Sequence, residues 1–123
     1  MAVYTTIDDP SAHYQSKSFT GGGNSTAYTF DGNSDMQPDL LWFKRRDASG
    51  NSKILDTSRG SSGGSEYYFT SVSEEREQSY NYLTSYNSDG FTVATSDSSL
   101  GASGNTYMVY AWKGNGGTTS SNS

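Results

Sequence analysis

Wherever the chain has a repeating hydrophobic pattern, the period is close to two. Thr26, Tyr28 and Phe30 fall on one side of a short run whose alternate positions are Ala27 and Thr29. Residues 91–95 alternate in the same way, and residues 106–112, Thr-Tyr-Met-Val-Tyr-Ala-Trp, form the strongest ribbon in the chain. Successive side chains of a strand point to opposite faces, so this pattern predicts half-buried strands. On the same grounds strands are expected at 14–20, 26–30, 40–45, 53–56, 67–70, 81–86, 91–95 and 106–112, with a short strand-like pattern at 2–7. In the 40–45 segment Leu41 and Phe43 point one way and Leu40 and Trp42 the other. Four consecutive apolar residues predict burial on both faces at its start.

The breaks between these segments carry turn chemistry. Gly21-Gly22-Gly23-Asn24 calls for backbone angles that side chains resist. Asn87-Ser88-Asp89-Gly90 contains the Asp-Gly hairpin signal, and residues 47–51 form a polar hairpin turn after Lys44-Arg45-Arg46. Asp9 can cap a single helical turn that has Pro10 at its first position. Residues 58–65 are Gly- and Ser-rich, and 96–105 form a polar loop. Ser71 and Glu74 have capping-box spacing, but 71–79 lacks an apolar face, so a loop with at most one helical turn is expected.

About eight short strands separated by Gly, Asn and Asp turns predict an all-β fold. The expected class is an antiparallel β-sandwich, for which a jelly-roll is one arrangement. One module should occupy 1–113, with a short N-terminal arm at 1–13. Residues 114–123 read as a Gly/Ser/Thr/Asn linker leading to further modules.

Composition narrows the function. Aromatics make up 14% of the 123 residues and charged residues only 17%. This is the reverse of a disordered chain. The net charge of −5 disfavours nonspecific binding to nucleic acid or to an anionic membrane. No apolar run approaches the length of a membrane-spanning helix. There is no cysteine, which rules out disulfides and thiolate metal sites.

Several groups could carry chemistry. Asp31, Asn33 and Asp35 have the spacing of the first half of a calcium loop, a candidate calcium set. The later positions fail, with Met36 where glycine belongs and Trp42 where glutamate belongs. The plain alternative is an Asx-rich turn without a cofactor. His13 is the sole histidine, and no nucleophile motif accompanies it, so a surface or packing role is expected. Glu74, Glu75 and Glu77 could supply glycosidase carboxylates, but three acids in one polar loop read more simply as solvated. Asp56 and Arg59 can form a structural ion pair across a tight corner. Tyr67, Tyr68, Tyr80, Tyr82 and Tyr86 exceed what a thin core holds. They are candidates for a protein interface or a glycan contact, against the alternative of an ordinary outer sheet face. None of these groups makes an enzyme the expected reading.

Four motifs in order carry a resemblance to a known family. They are Pro38-Asp39-Leu40-Leu41-Trp42-Phe43-Lys44-Arg45-Arg46, then residues 54–60 (ILDTSRG), then 86–93 (YNSDGFTV), then 107–114 (YMVYAWKG). The chain resembles a β-rich module in tail-fibre-like virion proteins of marine tailed phages, cyanophages among them. The likeness covers nearly the whole chain. It departs at Ser58, where valine is usual, around Trp112, where a cysteine is frequent, and at His13 and Gln15, near a position often aromatic. The resemblance implies a virion structural or adhesion protein, exposed on the particle. Its most direct form is the N-terminal module of a tail or head fibre that docks on the particle and oligomerises, as a trimer if it is a fibre. Other virion proteins would be its partners. A capsid decoration protein and a lectin-like module binding host surface glycan are the alternatives. The family supplies no catalytic motif to transfer.

Overall fold

A computed structural model describes residues 9–50, 52–57, 66–70, 78–80, 82–94, 96–98 and 100–114; for 66–70 and 78–80 it describes the backbone alone. The strand pattern at 2–7, the loop at 58–65, most of the 71–79 stretch and the tail from 115 lie outside the described residues.

Nine strands are present among the described residues: β1 Tyr14–Thr20, β2 Thr26–Thr29, β3 Leu40–Arg45, β4 Lys53–Asp56, β5 Glu66–Thr70, β6 Gln78–Tyr80, β7 Leu83–Asn87, β8 Gly90–Val93 and β9 Thr106–Trp112. They form a six-stranded sheet in the order β1-β9-β3-β4-β5-β6 and a three-stranded sheet in the order β2-β8-β7. Every strand pairing among the described residues is antiparallel. The protein is therefore an all-β sandwich. Within the large sheet β3 to β6 run as a meander, while β9 inserts between β1 and β3.

The two sheets meet through aromatic rings. Phe19, Phe43 and Tyr107 project from the large sheet, and Tyr28 and Phe91 from the small one. Phe91 packs against Phe43 at 5.2 Å between centroids, Phe19 at 5.7 Å, Tyr28 at 5.4 Å and Phe30 at 6.0 Å. Each such pair contributes about 0.5–1.5 kcal/mol beyond simple area burial. Leu41, Leu55, Leu83, Val93, Val109 and Ala111 fill the space around the rings and are fully buried.

Turn residues then fix the sheet ends. Asp9 caps a 3-10 turn, Pro10–Ala12, and its side chain accepts a hydrogen bond from the Ser11 N–H. The β7–β8 hairpin closes through Ser88 and Asp89, with Asn87 opposite Gly90. Gly90 has φ +148°, and a Cβ there would stand 1.9 Å from the Tyr28 carbonyl oxygen. Only glycine lets β8 approach β2 this closely. Gly23 has φ +84°, as the glycine run demanded.

Two expectations need correction. Residues 78–80 form a strand, β6, which begins inside the 71–79 stretch expected to be a loop. And β3 is not buried on both faces: Leu41 and Phe43 have no exposed surface, whereas Trp42 is 41% exposed. No third layer covers the outer side of β3 among the described residues.

Candidate functional site

The uncovered face is built by strand register. Because β1, β9, β3 and β4 are aligned antiparallel, their outward residues fall into rows across the sheet. One row runs Tyr14, Trp112, Leu40, Asp56. The next runs Ser16, Tyr110, Trp42, Ile54. A third places Ser18 beside Met108 and Met108 beside Lys44. Rows are two residues apart along each strand, about 7 Å. The burial alternation of β3 and β9 shows that these side chains lie on the side away from the core.

The aromatic rings on this face are paired but not stacked flat. Tyr14 and Trp112 stand 5.2 Å apart with their planes at 52°, and Trp42 and Tyr110 stand 5.8 Å apart at 54°. Tyr14 is 39% exposed. Between the rings lies a shallow groove of about 420 Å³ lined by Trp42, Lys44, Ser52, Tyr110 and Trp112. Its floor is the paired strands β3 and β9. The Trp112 end is tied down by Asp39: its backbone N–H donates to the Trp112 carbonyl at 2.9 Å, and its carboxylate accepts from the Gly114 N–H at 2.7 Å.

Lys44 is the sole charged residue lining the groove among the described residues. Its ammonium donates to the Gly50 carbonyl at 2.8 Å. Next along the strand Arg45 donates from Nε to Asp47 at 2.7 Å. That hydrogen bond holds the Asp47 carboxyl below its ordinary pKa and raises the Arg45 guanidinium above its own. The Asp47 carboxylate is thus engaged by Arg45.

The residues singled out from sequence are distributed differently. Tyr82 is 4% exposed and belongs to the core, so it is no contact residue. Its ring lies 5.9 Å from the ammonium of buried Lys53. Tyr86 is partly buried and packs on the core. Tyr67, Tyr68 and Tyr80 are placed by backbone register alone: Tyr67 opposite Ser79, Tyr68 between Leu55 and Gln78, Tyr80 opposite Glu66; their side chains lie outside the described residues. Asp56 ends β4 opposite Leu40, and Arg59 lies outside the described residues, as do Glu74, Glu75 and Glu77. His13 is exposed and follows the 3-10 turn.

The Asx-rich loop of Asp31, Asn33 and Asp35 is bound into the N-terminal turn. Asp31 pairs with Lys17 at 3.1 Å, while Asn33 and Asp35 are exposed. Buried Gln15 accepts from the Gly32 N–H at 2.9 Å and donates to the Ser11 and Ser34 carbonyls. The Ser34 hydroxyl donates to Asp9 at 2.5 Å. Hydrogen bonds from Ser34 and Ser11 hold the Asp9 carboxyl below its usual range. Asp89 completes the clamp by accepting from the Met36 N–H at 3.0 Å. Among the described residues no group of three or more His, Cys, Asp or Glu side chains is arranged to hold a metal ion. The four outward rings of β1, β3 and β9 were missed from sequence. The spacing of Tyr110 and Trp112, two apart and out of phase with Val109 and Ala111, was the available signal.

A family profile described as a domain of unknown function (DUF7483) matches residues 9–123. The chain belongs to that family. The match begins at the capping residue Asp9 and takes in every strand of both sheets. No curated protein and no solved structure matches the chain. The family description assigns no activity, so function has to be argued from the outward face itself.

Proposed function

We propose that the chain is a contact module of a tailed-phage virion that binds other molecules rather than transforming them. The observation carrying this reading is the open outer face of the six-stranded sheet, where Trp42 and Tyr14 stand about two-fifths exposed beside Tyr110 and Trp112. Trp and Tyr offer flat apolar area with polar tips at small entropic cost, and such residues dominate binding surfaces. A thin two-layer domain gains nothing in folding from leaving them uncovered. The phage setting comes from the ordered motifs around Leu40, Asp56, Gly90 and Tyr110, which resemble tail-fibre-like virion modules. A fibre module that docks on the particle and oligomerises fits that setting most directly, and a capsid decoration protein would use the same face.

Purified particles from a lysate of the encoding phage, probed with an antibody to this chain, test the reading. The chain should be recovered in the particle band, with labelling on the tail or head surface. Its presence only in the soluble, particle-free fraction would refute a virion role.

A further inference from the structure

We infer that the groove between Trp42, Tyr110 and Trp112 binds an acidic saccharide of about two sugar units, with its carboxylate on Lys44. This inference rests on the contact reading above and names the ligand of that same face.

Shape comes first. At about 420 Å³ the groove falls within the roughly 300–1,000 Å³ typical of small-ligand sites. It is shallow and runs along the strands, from Lys44 and Ser52 past Trp42 and Tyr110 to Trp112. That path covers three rows, about 14 Å. An elongated, ridged ligand fits such a trough, whereas a protein hot spot seats a bulky anchor in a closed, fully desolvated pocket. The ring surfaces favour the same class. Planes tilted at 52° and 54° mean that neither pair is stacked face to face, so the ring faces are not spent on each other. The face of an aromatic ring is electron-rich, so it attracts the slightly positive C–H bonds that line one side of a pyranose. The indole N–H and phenol O–H tips can then meet sugar hydroxyls.

Charge decides between neutral and acidic sugars. The protein carries a net charge of −5, yet among the described residues the groove lining contains one cation and no carboxylate. An ammonium has three hydrogens, and Lys44 gives one to Gly50. Two hydrogens remain for an anion at the groove's polar end. Asp47, just beyond β3, is held by Arg45, and the Asp39 and Asp56 carboxylates lie at the opposite end, beside Gly114 and opposite Leu40. A carboxylate on the ligand would complete the pattern, and its pairing with Lys44 would weaken with salt.

The test is titration of the full chain, followed by tryptophan fluorescence and calorimetry, with trigalacturonate and sialyllactose as acidic probes and maltotriose and lactose as neutral ones. At least one acidic probe should bind saturably, about tenfold tighter than the neutral sugars, with the difference shrinking as salt rises. Trp42→Ala should weaken binding by about thirtyfold, the scale of an aromatic hot spot. Lys44→Met should abolish the preference for acidic sugars while leaving neutral binding intact. Both side chains are exposed, so a cooperative melting transition in each variant, lowered only modestly in Trp42→Ala, will show that the variants fold. Equal binding of neutral and acidic probes overturns the assignment. So does no binding by any probe. If in that case Trp42→Ala still removes the chain from particles, or converts an oligomer to a monomer in light scattering, the face serves a protein partner and the contact reading stands. If Trp42→Ala changes none of these, both fail.

Discussion

The two faces of the six-stranded sheet are made by the same strands and are both aromatic, yet they do opposite things. On the inner face Phe19, Phe43 and Tyr107 pack against Phe91 or one another and are sealed beneath the small sheet. On the outer face Tyr14, Trp42, Tyr110 and Trp112 make their ring contacts, among the described residues, with neighbours in their own sheet. One face is held by cross-layer packing and the other by cross-strand pairing, which is weaker per residue. Hydrophobic content alone therefore does not identify a core. A second layer does, and the sandwich has only one interior.

The comparison can be broken most sharply at Phe91. It touches four rings, so Phe91→Ala should destabilise the fold by about 3–5 kcal/mol in urea titration. A loss below about 1 kcal/mol would mean that the rings are not the joint between layers. Gly90→Ala comes next. A Cβ at that position meets the Tyr28 carbonyl oxygen at 1.9 Å, and the backbone has φ +148°. The cost should exceed about 1 kcal/mol, because neither the angle nor the space admits a side chain. A variant as stable as the parent would show that β8 need not lie so close to β2.

Lys53 sharpens the contrast by charge. It is a cation on the inner face, and burial pushes its ammonium below the ordinary value of 10.5. Between that lowered value and 10.5 the unfolded chain holds the extra proton, so Lys53's contribution makes stability rise as pH climbs through the alkaline range. The rise should appear in melting curves of the parent and be missing in Lys53→Met. Identical pH slopes would show that Lys53 is not desolvated. The smallest effect belongs to the outer face. Trp42→Ala should cost about 0.5–1.5 kcal/mol, the loss of its pairing with Tyr110. If it matched Phe91→Ala, the face would be structural and the site misassigned.

Much of the frame was legible in the sequence. The bounds 14–20, 40–45, 53–56 and 106–112 follow from alternation and turn residues, and they are the bounds observed. The Asp9 cap and the Asp89-Gly90 hairpin follow from local chemistry. Residues 78–80 were illegible because Gln-Ser-Tyr has no apolar alternation; pairing with β5 makes it a strand. The site was hidden for a related reason. Trp42 and Tyr110 are 68 positions apart, and only the register of β3 on β9 makes them neighbours. Counting tyrosines pointed instead to Tyr82, which the core claims.

The position of β9 has a consequence for how the molecule comes into being. It is the last in chain order of the nine described strands, yet it lies between β1 and β3, which are otherwise not joined. On the ribosome, β1 and β3 emerge early and must wait, their edges unsatisfied, until residues 106–112 leave the exit tunnel. Sealing the large sheet thus waits until the other eight described strands have been made, and until then the facing edges of β1 and β3 are open to pairing with the wrong neighbour.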